Sequence, residues 1–183
     1  SIDQIEMVKS MKKDFLKEGG LMIVDPVMGD NGILYSHFDK KFVEEMKGLC
    51  RTADVTVPNL TEACFLTDTD YAGVTEKDYP AVIEKLKQLC PRPSVTGCDV
   101  KNGGKTESRV FYTDEHGQTK SYATEKIEGA FHGAGDVYAS ALVGCLARGV
   151  DTDTAVKISA EFTTNSIRQT ALDKTEARYG LNS

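Results

Sequence analysis

Short apolar runs separated by helix-length segments constrain this chain most. Strands joined through helices can pair side by side only by crossover connections, which makes their sheet parallel. Periodicity predicts helices over residues 2–17, 39–50, 60–67 and 76–90, with strands over 21–25, 54–57 and 94–97 between them. The pattern then changes. Residues 107–112 and 120–124 alternate around the polar segment 113–118, which reads as a β-hairpin on the sheet's edge. Helices over 136–148 and 153–170 follow. The expected fold is α/β: a three-layer α/β/α sandwich with a mostly parallel sheet, an edge hairpin, and ligands along the carboxyl ends of the strands. No repeat, linker or low-complexity tract interrupts residues 1–183, so one domain is expected.

Composition narrows the functions available. A chain of 183 residues, 40% hydrophobic and 27% charged, can bury one sizeable core, and no apolar run reaches the length of a membrane span. With 22 basic and 28 acidic residues the net charge is −6, without a basic block or a Trp. A general electrostatic surface for nucleic acid is therefore not expected. A polyanionic ligand would have to be met by local dipoles, a metal ion and a few cations. The five cysteines (Cys50, Cys64, Cys90, Cys98, Cys145) are odd in number and widely spaced. Neither a disulfide framework nor a zinc site is expected of them, and a reducing cytoplasm is the expected setting. His37, His116 and His132 are too scattered to share a metal; His132 reads either as an ordinary loop residue or as part of an anion site. The chain opens without Met, inside a helix that Ser1 can cap and whose apolar face carries Ile5, Val8, Met11 and Phe15.

Three polar stations fall at strand ends or helix starts. In Leu21-Met22-Ile23-Val24-Asp25-Pro26, four apolar residues read as a buried strand with Asp25 at its carboxyl end, where α/β sheets place ligand chemistry. Asp30-Asn31-Gly32 then reads as a turn. In Val57-Pro58-Asn59-Leu60-Thr61-Glu62, Asn59 can cap a helix with Glu62 at its third position. A capping box explains that spacing completely. Glu62 could equally hold Mg²⁺ through water, and the two roles are compatible, since the cap fixes where the carboxylate points. In Phe131-His132-Gly133-Ala134-Gly135-Asp136-Val137, small residues precede a helix with an acid on its first turn. Free N–H groups and the dipole there suit an anion, and the glycines permit close approach. Asp136 reads either as an early-turn acid complementing the dipole or as a base that accepts a hydroxyl proton.

Together these stretches resemble the pyridoxal (vitamin B6) kinase branch of the ribokinase-like kinases along nearly the whole chain. The run Asp25 to Gly32 is similar to that branch's Asp-Pro-Val-Met-Gly-Asp-Asn-Gly; Asn59-x-x-Glu62 resembles its magnesium and phosphate motif; Gly133-Ala134-Gly135-Asp136 resembles its anion hole and catalytic base. The resemblance implies phosphorylation of the hydroxymethyl group of pyridoxal, pyridoxine or pyridoxamine by ATP. Asp136 would be the base, Asp25 and Glu62 the Mg²⁺ residues, and Asp25, Asn59, Glu62 and Thr96 the nucleotide side. K⁺ as a monovalent cofactor and a homodimer are part of the same implication; nucleic acid and membrane partners are not. Val57 stands where relatives often carry a hydroxyl. The neighbouring hydroxymethylpyrimidine kinases usually have Cys in place of Asp136 and rank second. An inactive nucleotide-binding domain is a third reading, because in the resembled family further chain precedes this point, so residues 1–183 are expected to be the carboxyl-terminal part of a longer kinase domain.

Overall fold

A computed structural model describes residues 1–173, 180 and 181. They divide into two compact units, one built from residues 1–98 and 111–120, the other from 99–110 and 121 onward.

In the first unit, α1 (Ile2–Phe15) begins at a Ser1–Gln4 capping box and packs against α2 (Lys40–Cys50), which Asp39 caps by accepting from the Phe42 N–H at 2.9 Å. Strands β1 (Ile23–Val24) and β4 (Val55–Thr56) pair in parallel, with Val24 opposite Thr56, and β4 pairs in parallel with β5 (Arg92–Asn102), with Thr56 opposite Pro93. Val24, Val55, Val57, Ala63, Leu66, Ile83, Leu86 and Val95 are buried around these strands. Strand β1 is shorter than the predicted 21–25. Its start is irregular because the Met22 carbonyl accepts from both the Asp54 and Val55 N–H groups, while the Met22 N–H donates to the Asp54 carboxylate. Pro26 supplies no donor to extend it.

Helix α3 (Leu60–Leu66) follows β4. Helix α4 (Tyr79–Leu86) is shorter than the predicted 76–90. Pro80 must lie in the first turn, and the Asp78 carboxylate folds back to accept from the Thr75 N–H and hydroxyl at 2.8 and 2.7 Å, so the preceding residues make a turn instead. Gly97 does not end β5, which runs on to Asn102.

Two elements escape a purely local reading. Asp30-Asn31-Gly32 is more than a turn: β2 (Gly29–Asp30) and β3 (Ile33–Leu34) form an antiparallel hairpin, closed by Asn31 at φ 50° and Gly32 at φ 78°, the positive pair that a two-residue type I′ turn demands. The predicted apolar face of α1 is mostly uncovered. Ile5 is buried, but Val8, Met11 and Phe15 are exposed, Phe15 to 73%. Amphipathic spacing fixes which residues share a face, and only a neighbouring element can bury them.

The central sheet has the order β1-β4-β5-β6-β7, ending in the predicted edge hairpin of β6 (Lys105–Thr113) and β7 (Thr119–Glu125). Its loop is pinned by Asp114, which accepts from the His116 and Gln118 N–H groups at 2.9 and 2.8 Å. Lys120, at 2.8 Å, is the main cause that holds this carboxyl down at about 2. In the second unit α5 (Ala134–Ala147) packs on α6 (Thr152–Asp173). Tyr138, Leu142 and Leu146 form the buried stripe of α5, whereas Val137, Ala141 and Cys145 are half-buried. Helix α6 begins where Asp151 accepts from the Thr154 N–H at 2.9 Å. Among the described residues no helix is long and apolar enough to cross a membrane.

Candidate functional site

The first station lies just past the carboxyl ends of β1 and β4 and beside Thr96, within the neighbouring parallel strand β5. Asp25 directly follows β1. Beyond β4, the Val57 N–H donates to the Val24 carbonyl at 2.9 Å, and the Thr96 N–H on β5 donates to the Pro58 carbonyl at 3.0 Å, which places Asn59 and Thr96 as partners in a parallel bridge. Asp25, Asn59 and Thr96, far apart in sequence, are thus brought to neighbouring strands of the sheet. Val57 is a core residue, its side chain buried.

Asn59 caps α3 with a complete capping box. Its Oδ1 accepts from the Glu62 N–H at 2.9 Å, and Glu62 Oε2 accepts from the Asn59 N–H at 2.9 Å. The structure adds what spacing could not show. Glu62 Oε1 accepts from the backbone N–H groups of Met28 at 3.0 Å and Gly29 at 3.5 Å, while Asn59 Nδ2 donates to the Gly29 carbonyl at 2.8 Å. The hairpin backbone is therefore one wall of the Glu62 site, and sequence reasoning missed it because backbone donors leave no residue-type signal. Glu62 is 3% exposed. Burial pushes its carboxyl from the ordinary value near 4.5 up to about 7; the N–H groups of Asn59, Met28 and Gly29 pull the other way, and the charge of Asp25 adds to the rise.

That balance is what a divalent cation would relieve. Among the described residues no three His, Cys, Asp or Glu side chains converge, but Mg²⁺ keeps several waters and takes only one or two carboxylates beside substrate phosphates. The electrostatically coupled Asp25 and Glu62 fit that demand.

The second station is the start of α5. The helix begins at Ala134, two residues before the predicted start, so Gly133 is its N-cap and Ala134 and Gly135 lie inside the first turn. Gly133 sits at φ 85°, a conformation that strains any residue with a Cβ, and as N-cap it offers the helix no side-chain cap. Such a start leaves first-turn N–H groups for an anion. Asp136 is the third helical residue and is exposed, as is His132.

The cysteines take no part. Cys50, Cys64, Cys90 and Cys98 are buried and Cys145 is half-buried, and among the described residues none is in a disulfide. Burial pushes the Cys50 thiol up to about 12 and those of Cys64 and Cys90 to about 11, which makes them inert at neutral pH.

The sequence model of the phosphomethylpyrimidine kinase family matches residues 2–180. A pyridoxine kinase of Bacillus subtilis is 29% identical over 178 residues, covering 92% of this chain and 61% of that protein. Among solved structures, a candidate phosphomethylpyrimidine kinase from Bacteroides thetaiotaomicron superposes with a TM-score of 0.90 at 30% identity, covering 99% of this chain and 62% of its own. A second crystal form of it, with pyridoxal, gives 0.84 at 31% identity, over 93% of this chain and 60% of its own. An ADP complex of Bacillus subtilis pyridoxal kinase gives 0.74 at 25% identity, over 91% and 61%. The chain spans about three fifths of the length of each of these relatives.

Proposed function

The chain belongs to the phosphomethylpyrimidine kinase family, and from that premise we propose that it phosphorylates the hydroxymethyl group of a B6 vitamer with ATP, residues 1–183 being the carboxyl-terminal part of one longer kinase domain. The observation that carries this reading is the α5 start: a left-handed glycine N-cap, which has no side chain to take up a first-turn N–H, followed by an exposed carboxylate at the third position. An acid beside an anion site repels the ligand unless it has a task, and accepting the proton of the attacking hydroxyl is such a task. In the proposed step the vitamer oxygen bonds to the γ-phosphorus, the bond from phosphorus to the oxygen bridging to ADP breaks, and Asp136 takes the hydroxyl proton. The N–H groups of the Gly133, Ala134, Gly135 and Asp136 turn offset charge on the transferring group. Asp25 and Glu62 would hold Mg²⁺, Glu62 through water, and the ion supplies charge neutralisation to the phosphates. Asn59 and Thr96 lie on the nucleotide side of this reading.

The vitamer reading is favoured over the pyrimidine reading by the curated relative's being a pyridoxine kinase and by the pyridoxal crystal form of the Bacteroides protein. Asp136 itself also favours it, standing where pyrimidine kinases usually carry Cys. A cytoplasmic setting, K⁺ dependence and a homodimer complete the proposal; five cysteines without a disulfide among the described residues support the first. The test is a panel of pyridoxal, pyridoxine, pyridoxamine and hydroxymethylpyrimidine with Mg²⁺-ATP. Turnover of a vitamer is expected. Preference for the pyrimidine would overturn the substrate, and nucleotide binding without any turnover would make the chain an inactive nucleotide-binding domain.

A further inference from the structure

The hairpin β2–β3 has only two residues per strand, and an isolated pair of that size is not stable in water. Its conformation must come from what it is tied to. At its base the ties are those already described, from Met28 and Gly29 to Glu62 and Asn59. At its tip there is another. The Gly32 N–H, in the turn, donates to Thr61 Oγ1 at 2.9 Å, and Thr61 is 2% exposed. Tyr71 closes the same point from outside, since a Cβ on Gly32 would lie 2.6 Å from its ring.

We propose that Thr61 is a positioning residue, latching the hairpin tip to the first turn of α3 so that the hairpin base holds Glu62 in place. Thr61 and Glu62 are adjacent on α3, so one helical turn grips the hairpin at both ends. With the latch released, the hairpin can pivot about Gly29, and the Met28 and Gly29 N–H groups no longer keep a fixed aim on Glu62 Oε1. The base ties cannot be altered without touching Asn59 or Glu62 themselves. Thr61 can, which makes it the residue through which the hairpin's contribution is separable. The second half of this inference rests on the reading of Glu62 as a Mg²⁺ residue of a kinase.

The experiment compares Thr61→Val, which keeps shape but deletes the acceptor, with Thr61→Ser, which restores it. Thr61→Ala serves as the second deletion should the valine variant not fold. Amide hydrogen exchange and the Mg²⁺ midpoint for ATP binding by calorimetry are read on each. Thr61→Val is expected to exchange Gly32 about tenfold faster, with smaller increases at Met28 and Gly29, and to raise the Mg²⁺ midpoint severalfold; Thr61→Ser should return both toward the parent. Unchanged exchange at Gly32 would overturn the latch. Faster exchange with an unchanged Mg²⁺ midpoint would overturn the positioning role. A parent chain that fails to bind Mg²⁺-ATP would overturn the kinase reading and the metal half of this proposal with it, while the exchange rates would still decide the latch.

Discussion

Glu62 and Asp136 occupy the same place in two helices, the third residue after the cap, yet their surroundings are opposite. Behind an Asn cap, Glu62 is buried and closes a reciprocal box with Asn59, and the hairpin backbone takes its other oxygen. Behind a Gly cap, Asp136 is exposed and the cap residue has no side chain to take up a first-turn N–H. The cap residue decides what the acid at the third position is for. An Asn side chain uses up an N–H group and ties the acid to the cap's own backbone, giving a rigid carboxylate suited to act at one remove through water. A glycine leaves donors and acid alike available to a ligand.

The contrast breaks most readily at Asp136. Asp136→Asn keeps the shape and removes the base, so turnover should fall about a hundredfold or more, while nucleotide affinity and thermal stability stay near parental. Steady-state rates beside a melting curve check it, and near-parental turnover would remove Asp136 from its role.

Glu62→Gln should behave in the other way, costing stability first. The carboxylate meets three backbone N–H groups, and an amide must turn its NH₂ toward one set of them, which costs about 1–3 kcal/mol for an unsatisfied donor. Denaturant unfolding measures this, and a magnesium titration should show a raised midpoint if the carboxylate also serves the cation. Lost stability with an unchanged midpoint would leave Glu62 as a cap alone.

The pH dependence sharpens the same point. The folded-state value of Glu62, about 7, is above its ordinary 4.5, so the fold favours the protonated form. Below about 4.5 both states hold the proton and nothing changes with pH. Between there and about 7 the unfolded chain ionises first, so stability falls as pH rises, by up to about 1.4 kcal/mol per unit, and levels off above. Parent-minus-variant unfolding curves across this window should show that slope in the parent and lose it in Glu62→Gln. No slope would mean that bound or nearby groups already compensate the charge.

The smallest effect is expected at the cap. Asn59→Ala should cost about 1 kcal/mol by opening the box, and exchange at the Gly29 amide should rise because the Asn59 tie to the hairpin is lost. An unchanged melting temperature would mean that the box adds little beyond the hairpin contacts.

Helix starts with a side-chain cap were legible in the sequence because capping is local. Ser1 and Asn59 each announce a helix within four residues, and both cap as their chemistry requires. Strand extents were not. Leu21 and Met22 have strand-like side chains but lie outside β1, and β5 runs five residues past Gly97, because a strand lasts as long as a partner offers ladder bonds. The start of α5 was misplaced by two residues, since a glycine cap carries no side-chain signal.

The sequence by itself determined which residues carry charge at strand ends and helix starts, the α/β order of elements, and the edge hairpin, all of which follow from periodicities and caps spanning a few residues. Tertiary structure alone decided that Asp25, Asn59 and Thr96 come to neighbouring strands of one sheet, that Met28 and Gly29 aim their N–H groups at Glu62, and that Val8, Met11 and Phe15 stay exposed. Register, burial and backbone donors depend on segments more than thirty residues apart meeting in space, and no local pattern encodes that meeting.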